Sequence, residues 1–549
     1  MRHPHRVIAF GVAGWLSLAS GPVAARQDVA QHADHTGKLG TVHFPTSCAA
    51  DVQPGFDHAL ALLHSFEFGE ATDGFKAVLS GDSGCAIAYW GIALASWGNP
   101  FAAGVKPPAQ IRRGEEAVER GRSTGRPTPR ERGYLEAAAK LFDHADTIDQ
   151  GARLIAYRDA MQSLAAREAG DSEATIFYAL SLAITAPPGD KTYANQLKAG
   201  AMLEDLFAAH PDHPGLAHYI IHAYDVPPLA PRALDAARRY AEIAPSAPHA
   251  LHMPSHTFTR VGNWNASIAS NLASADAARS AGSTAEELHA SDYMTYAYLQ
   301  TGRDADAKHL LDALPSMRSR FDPSAQGGAA PPSAGFFALA AIPARYALER
   351  GDWAAAAALE THDSPVPWAD AITEFARALG AARVGNPPVA AAAMGKLGFL
   401  RLKLVNAHEE YWAEQLAIQS DEILAWISFA VGRGDVAVEM MRAAATREDA
   451  TEKNAVTPGP LAPARELLGE MLLELGRPAD ALAEFETALT HEPNRFRSLE
   501  GAARAAVKSG DSAKATRYYA TLLENCSNAD QPPRQSLMDA KEWLRTRRN

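Results

Sequence analysis

The chain has 549 residues, enough for several hydrophobic cores or for one long repeat array. Its hydrophobic content of 47% and its charged content of 21% are ordinary for a soluble globular protein. The net charge of −12 argues against non-specific binding to nucleic acid, so no nucleic-acid partner is expected.

The first residues have the pattern of a secretory signal peptide. A basic head, MRHPHR, precedes an apolar run of about 15 residues and small residues at Val23 and Ala25. We therefore expect residues 1–25 to be a signal peptide cleaved near Ala25; a buried N-terminal helix is the alternative. No later segment is apolar enough to cross a bilayer, so we expect an exported protein, periplasmic or secreted, without a transmembrane segment.

Residues 26–52 carry little helical periodicity and are predicted to form an extended lead-in. Export would permit a disulfide, and Cys48 and Cys85 are the two cysteines of the N-terminal region. Two buried free thiols are the alternative to this pair. Cys526 would be left over.

From Phe56 onward the pattern is almost wholly helical. Apolar residues recur at intervals of three, four and seven, the composition is rich in Ala, Leu, Arg and Glu, and no segment alternates convincingly as a strand would. The sequence therefore predicts an all-α fold.

Two stretches rich in small residues, Gly and Pro interrupt this pattern. They are residues 324–335 and 451–464, which we interpret as linkers. They divide the mature chain into N-terminal helical repeats at 53–323, a middle helical region at 336–450 and C-terminal repeats at 465–549. A single continuous solenoid through all three parts is the alternative.

A repeat of 34 residues is clearest in the C-terminal part. Its landmarks are small residues within the helices, a glycine at the turn, an aromatic residue and a proline that ends the second helix. These places are occupied by Gly469, Gly476, Ala481, Phe485, Ala488 and Pro493. Gly510, Ala515 and Tyr519 repeat three of them 34 residues later. This period is typical of the tetratricopeptide repeat (TPR), so we predict a TPR-like right-handed solenoid of helix pairs.

Five of the chain's 20 histidines fall between positions 218 and 256, within HYIIHAYD and HALHMPSH. His218 and His222 are four residues apart, as are His252 and His256, and the second pair follows the first by 34 residues. An offset of four places each pair on one face of a helix. The offset of 34 places the two pairs at equivalent positions of neighbouring repeats.

Pro254 complicates the second pair. A proline inside a helix removes a backbone hydrogen bond, so Pro254 is expected either to kink the helix or to begin a new one. If it begins a new helix, His249 and His252 leave the helix and only His256 keeps its assigned position.

Clustered imidazoles are typical ligands of transition metals. Two imidazoles on helices about 10 Å apart can share one ion at bond lengths of about 2.0–2.1 Å. We therefore predict a site for a divalent transition metal, which could be Zn, Cu, Fe or Ni. The primary ligand candidates are His218, His222, His252 and His256. The secondary candidates are His249, His289, Asp225 and Asp292. Asp225 is either a ligand or an acceptor that orients an imidazole.

Signatures of several enzyme classes are absent from the sequence. The pair beginning at His218 lacks the glutamate of HExxH because Tyr219 follows it, and no CxxCH, GxSxG, Walker or dinucleotide motif is present. The sequence leaves open whether the protein is an enzyme.

Five motifs resemble those of a family of exported bacterial TPR proteins. They are LLHSF (62–66), CAIAYWGIA (85–93), HYIIHAYD (218–225), HALHMPSHTFTRVGNW (249–264) and YAYLQTG (296–302), and the resemblance covers roughly residues 40–310. In the TPR superfamily the first helix of each unit faces a concave groove where ligands bind. The resemblance therefore implies that the histidine candidates lie in this groove. Arg260, Tyr296 and His64 are further groove candidates. Arg260 would either pair with an anionic ligand or merely cap the helix end, and for His64 a simple interior position is preferred to one that closes the solenoid onto the site.

These features favour an exported TPR protein whose groove binds a metal for metal handling or for a metal-dependent reaction. The main alternative is a non-enzymatic scaffold that binds a peptide or an envelope protein in the groove, which is what the TPR superfamily implies. A third hypothesis is pH sensing by the clustered imidazoles.

Overall fold

Antiparallel pairs of α-helices joined by short turns make up nearly all of the described chain. The computed structural model describes residues 37–102, 104–325 and 327–547, and within these ranges it contains helices and no strand. Helices that follow each other in the chain pack together, and the first helices of neighbouring pairs also make contact. This is the all-α, TPR-like helical solenoid that the sequence predicts.

The helices are numbered in chain order over the described residues. The N-terminal part contains α1 Gln53–His64, α2 Phe68–Gly81, α3 Ala86–Trp97, α4 Pro108–Ser123, α5 Pro129–Ala139, α6 Gln150–Arg167, α7 Ser172–Ile184, α8 Ala194–Ala209, α9 Pro214–Ala223, α10 Leu234–Ile243, α11 Pro248–His252, α12 Pro254–Arg260, α13 Trp264–Ser280, α14 Thr284–Gln300 and α15 Asp304–Arg320. The middle part contains α16 Pro332–Glu349, α17 Trp353–Ala357, α18 Pro367–Arg383, α19 Pro387–Asn406, α20 Glu410–Ala430 and α21 Gly434–Asp449. The C-terminal part contains α22 Ala464–Glu474, α23 Pro478–His491, α24 Phe496–Ser509, α25 Ser512–Asn525 and α26 Gln535–Thr546. Short 3-10 helices span Ala50–Val52 and Ala230–Ala233.

The C-terminal repeats show why the landmark residues have the sizes they do. The ring of Phe485 on α23 lies directly against Gly469 on α22 and Gly501 on α24, where a Cβ atom would clash with it. Gly476 follows α22 with a φ of +72°, a conformation that favours glycine. Small residues therefore let one aromatic ring fill the space between three helices.

Helix α14 is buried along its whole length. It packs against α13, α15 and α16 and also touches α24. A helix buried on every side is normally apolar. This one carries Glu286, Glu287, His289 and Asp292, all of them buried. Because buried polar side chains need partners, the residues around α14 are candidates for a functional site.

The described part of the lead-in packs onto the N-terminal helices. Phe44 is fully buried and its ring stacks on Trp90 at a centroid distance of 5.5 Å. Cys48 and Cys85 form a disulfide with a Cα–Cα distance of 4.8 Å, which confirms the expected pair, and Cys526 is a buried free thiol. The predicted signal peptide lies outside the described residues.

Both segments predicted as linkers are packed into the molecule. In the first, Ala329 and Ala330 are buried, and the Gly327 carbonyl accepts a hydrogen bond from the Gly69 amide at 2.8 Å. In the second, Thr457 is buried among helices from distant parts of the chain. From Lys38 onward the chain forms a single compact unit, so both segments connect parts of the same body.

None of the described helices combines the length and the hydropathy that crossing a bilayer requires.

Candidate metal centre

Six histidines from four helices lie side by side; five are buried and His222 is half-buried. They form two groups of three, and within each group one ring nitrogen from every residue lies within 4.8 Å of the others. The first triad is His218, His222 and His249, and the second triad is His252, His256 and His289. The structure thus brings together all four primary candidates and two secondary ones, arranged as three plus three.

The helices that carry the six histidines belong to three successive helix pairs. Helix α9 carries the first two, α11 and α12 carry the next three, and α14 carries the last. α9 contacts α12, and α11 contacts α14. Stacking of repeat units therefore brings together residues that are 34 positions apart in the sequence.

Pro254 begins helix α12, and α11 ends one residue before Met253. Met253 joins them with helical angles, φ −54° and ψ −36°, so the chain continues in a helical path through the junction. The sequence-based alternative in which His249 and His252 leave the helix is wrong, because both lie on α11. Pro248 occupies the first turn of α11. Backbone N–H groups have no partner within the helix at this position, so the missing N–H of proline costs no hydrogen bond.

The first triad contains ring nitrogens with no protein partner among the described residues. His218 Nδ1 donates to the carbonyl oxygen of His64 at 2.6 Å, which leaves His218 Nε2 as an unpaired acceptor. His222 Nε2 and both ring nitrogens of His249 are also buried without a hydrogen bond. Buried polar atoms normally have partners, and a shared metal ion would provide one for all three rings.

The second triad places two acceptor nitrogens against each other. His252 Nδ1 donates to Asn271 Oδ1 at 2.7 Å, and His256 Nδ1 donates to Asp225 Oδ2 at 3.0 Å. Each neutral ring carries only one proton, so neither Nε2 atom is protonated. The two Nε2 atoms, each with a free lone pair, are nevertheless 3.1 Å apart. Two ligands on one tetrahedral ion at about 2.0–2.1 Å have their nitrogens roughly 3.3 Å apart. This arrangement is therefore suited to a metal ion between the two rings.

Burial lowers the pKa of all six imidazoles. The pKa falls to about 3 for His218 and for His289. For His222, His249 and His252 it lies well below the ordinary value, because burial is reinforced by repulsion from neighbouring imidazoles. At neutral pH the rings are uncharged, which is the form that binds metal ions.

A cavity of about 40 Å³ lies over both triads. His222 and His249 line it from the first triad, and His256 and His289 line it from the second. A cavity needs a volume of roughly 10–15 Å³ to hold one water molecule. The cavity is therefore large enough for a few heavy atoms that contact both triads.

Three chain segments cover this cavity. They are residues 99–102, 329–334 and 454–456, so the two predicted linkers supply most of the cover. The last segment is fixed by the Tyr411 hydroxyl, which accepts from the Asn454 amide at 3.0 Å, and by the Tyr293 hydroxyl, which lies 3.1 Å from the Ala455 carbonyl. The centre is thus closed by parts of the chain far from the histidines in sequence.

Asp225 connects this cover to the second triad. Its carboxylate accepts from His256, from Arg260 Nε at 2.9 Å and from Lys453 Nζ at 3.0 Å. Burial would raise the pKa of Asp225, but the charges of Lys453 and Arg260 hold it well below the usual range. Asp225 therefore acts as the acceptor that orients His256, and Arg260 pairs with Asp225 instead of presenting its charge to the cavity.

Two other predicted site residues are engaged elsewhere. Asp292 forms a fully buried ion pair with Arg345 at 2.8 Å and does not belong to either triad. The Tyr296 hydroxyl accepts from Arg495 Nη1 at 3.0 Å, and its ring packs on Trp264. Both side chains link α14 to later helices and lie outside the cavity lining.

His64 belongs to a third cluster, with Glu173 and His213. His64 Nε2 lies 3.0 Å from Glu173 Oε2, and His213 Nε2 lies 2.8 Å from Glu173 Oε1. His64 Nδ1 also contacts the Tyr219 hydroxyl at 3.0 Å. The interior position is therefore the correct one for His64. Both His64 nitrogens and His213 Nε2 have partners within the protein, and only His213 Nδ1 is buried without one, so this cluster has fewer unpaired nitrogens than the first triad.

Three residues around the centre are not among the predicted site residues. Asn271 fixes the His252 ring, the Tyr293 ring packs against His252 and His256 at centroid distances of 4.8 and 5.1 Å, and Lys453 reaches Asp225 from the cover. Tyr293 lies four residues after His289 on α14, so helical spacing could have indicated it. Nothing in the sequence pattern marks the other two.

No protein-family model matches the chain, and no curated protein sequence is significantly similar to it. Among solved structures, the APC/C hetero-tetramer Cut9-Hcn1 matches with a TM-score of 0.35 and 12% identity, covering 90% of this chain and 89% of that one. A monomeric mutant of IFIT1 with Gppp-AAAA gives a TM-score of 0.33 and 10% identity, covering 87% and 96%. The human IFIT1 dimer with m7Gppp-AAAA gives 0.34 and 11%, covering 80% and 90%. At these values the likeness carries no information about function.

Proposed function

We propose that this TPR-like protein binds a divalent transition metal through its buried histidines and uses it for metal handling or a metal-dependent reaction. The observation that carries the proposal is the contact between His252 Nε2 and His256 Nε2 at 3.1 Å. The other nitrogen of each ring is committed to Asn271 or Asp225, so neither Nε2 has a proton to donate. A metal ion removes this repulsion by accepting both lone pairs.

The surroundings of the rings support the proposal. Metal-binding histidines usually donate their second ring nitrogen to a carboxylate, an amide or a backbone carbonyl. Here Asp225 orients His256, Asn271 orients His252, and the His64 carbonyl orients His218. These contacts fix the ring orientations before any ion arrives, so less ordering is needed on binding.

The number of ligands favours a reactive site over a purely structural one. Structural zinc sites usually have four protein ligands, whereas catalytic ones have three and leave a position for water or substrate. Each triad offers three imidazoles, and the cavity of about 40 Å³ lies beside them. Imidazole nitrogen suits Zn, Cu, Fe and Ni.

Export is part of the same proposal. The basic and apolar N-terminus supports it, and so does the Cys48–Cys85 disulfide, since disulfides persist in oxidising compartments. A periplasmic or secreted location follows if the N-terminus acts as a signal peptide.

The test is metal content, by mass spectrometry, of tag-free protein purified without chelator and again after reconstitution. The variant is His218→Ala/His252→Ala, which removes one ligand from each triad. A matched control is His491→Ala, which removes a half-exposed histidine from α23. Metal is expected in the parent and the control and is expected to be lost from a folded double variant. Absence of metal from the parent after reconstitution would refute the proposal.

The alternative is a scaffold that binds a peptide and no metal. One observation favours it: Phe399, Leu402 and Val405 on α19 are 59%, 57% and 48% exposed and are three residues apart. Such a stripe of exposed apolar side chains is a common feature of binding surfaces. This function predicts that a Phe399→Ser/Leu402→Ser variant loses a peptide partner while the His218→Ala/His252→Ala variant retains it.

A further inference from the structure

The two histidine triads are packed almost as closely together as the rings within each of them. Within the triads, His218 lies 5.0 Å from His249 and His252 lies 4.5 Å from His289, measured between ring centroids. Between the triads, His249 lies 6.0 Å from His252. His222 and His256 are also 6.0 Å apart. Ions held by the two triads would therefore be close neighbours.

The cavity lies against both triads and is otherwise mostly apolar. Besides the histidines its lining includes Phe101, Ala329, Ala334, Trp368 and Val456. Its volume of about 40 Å³ admits a ligand of only a few heavy atoms. Such a ligand would contact ions on both sides, because histidines of both triads share the lining.

The charge of the site calls for an anion between the ions. All six ring ligands are neutral, and burying two divalent ions close together is unfavourable without negative charge nearby. The Asp225 carboxylate is already matched by Arg260 and Lys453. A water bound to both ions would lose one proton to the solvent and remain as hydroxide, which reduces the repulsion between them.

We propose that the two triads hold a coupled pair of divalent transition-metal ions, bridged by one small oxygen-donor ligand in the shared cavity. Cu(II) is the probe for the test, because it binds imidazole sites most tightly among the divalent first-row ions. This inference rests on the proposed metal-binding function and adds the number of ions, their coupling and the class of bridging ligand.

The test combines copper content with the integrated electron paramagnetic resonance (EPR) intensity of the protein loaded with Cu(II) at neutral pH. Two Cu(II) ions joined through one bridging atom couple their unpaired electrons, so their signal is largely lost. We expect two copper ions per chain and an EPR intensity well below the total copper. The measurement uses the full, unmodified protein and therefore does not depend on whether any variant folds.

Two single-triad variants sharpen the test. His249→Ala damages the first triad and His289→Ala damages the second, so each is expected to hold one copper per chain with full EPR intensity. His213→Gln is the matched control, because it removes a buried histidine from the third cluster. It is expected to keep two coppers and the weak signal.

The possible results separate the two proposals. One copper per chain, or two coppers with full EPR intensity, would overturn the coupled pair but leave metal binding intact. No copper in the reconstituted parent would overturn metal binding itself. Loss of copper in His213→Gln would assign one of the ions to the third cluster and would also overturn the coupled pair.

Discussion

His252 and His256 show how neighbouring groups decide what a histidine can do. Asn271 and Asp225 take the Nδ1 protons, so the Nε2 atoms face each other as acceptors. The sequence could predict that these two histidines share a helix face, because a spacing of four does so. It could not predict which nitrogen is free, since Asp225 and Asn271 lie 31 and 19 residues from the rings they orient.

Replacing Asn271 tests the role of this orientation. Asn271→Ala is expected to weaken the binding of one ion by about 10–100-fold, because the His252 ring loses the acceptor that fixes it. The measurement is competition for the metal with a chelator of known affinity. The control is Asn265→Ala, which changes an exposed asparagine on the same helix. Equal affinities for the two variants would contradict the assigned role.

The lowered pKa values of the triads predict a pH-dependent stability of the metal-free protein. His218 and His289 have a pKa of about 3 in the folded state against 6.5 when unfolded, so unfolding takes up protons below pH 6.5. Their contribution is fully present above that pH and is lost as the pH falls towards 3; by pH 5 about 2 kcal/mol of it has been lost for each residue.

Several buried carboxyls act in the opposite direction, among them Glu67, Glu286, Glu422 and Glu448. Burial raises the pKa of Glu67 to about 8 and that of Glu286 to about 7, so their contribution to stability is largest at low pH and is lost as the pH rises towards 8. The part that belongs to the triads is therefore measured as a difference. In chelator, the melting temperature of the parent is expected to fall more between pH 7 and pH 5 than that of a His218→Gln/His289→Gln variant, which keeps the same carboxyls. Equal pH dependence of the two proteins would show that the two rings are not buried and neutral.

At the scale of elements, the segment between α21 and α22 is the clearest departure from the sequence-based interpretation. Its Gly and Pro content indicated a linker, yet Lys453 is buried against Asp225 and Thr457 accepts from Arg345 at 2.8 Å. Local composition predicts that a segment is not helical, which is correct for residues 451–463. It does not reveal whether the segment is exposed, because its partners lie far away in the chain.

Lys453 provides a test of this cover. Lys453→Met keeps most of the apolar stem but removes the charge that pairs with Asp225, so the free energy of unfolding should fall by about 1.5–3 kcal/mol. Metal should also be transferred to a chelator faster, since the cover over the cavity is held less firmly. The control is Lys403→Met on α19, which should change neither quantity. An unchanged release rate in Lys453→Met would separate the cover from the metal centre.

At the scale of the whole molecule, the helix pairs and their stacking follow from periodicity, and the enclosure of the centre does not. The period of 34 residues correctly placed two histidine pairs on neighbouring first helices. The cover comes from segments around residues 100, 330 and 455, and α14 is buried by helices that follow it by tens to hundreds of residues. Such contacts depend on the path of the complete solenoid, which one sequence does not specify.

The disulfide offers a test of the N-terminal fold. Cys48 and Cys85 are 37 residues apart, and in the loop-entropy description the bond contributes about 4 kcal/mol to stability. Protein denatured without reductant should expose one reactive thiol, that of Cys526, and reduction should expose all three. The reduced protein should unfold at a lower denaturant concentration. Three reactive thiols before reduction would contradict the pairing.

X-ray absorption at the metal edge of the reconstituted protein identifies the atoms bound to the ion. We expect about three imidazole nitrogens per ion at roughly 2.0–2.1 Å, together with the outer-shell scattering typical of imidazole rings. The same spectrum from His218→Ala/His252→Ala should lose this signature. A first shell dominated by carboxylate oxygen or by sulfur would show that the metal binds away from the triads.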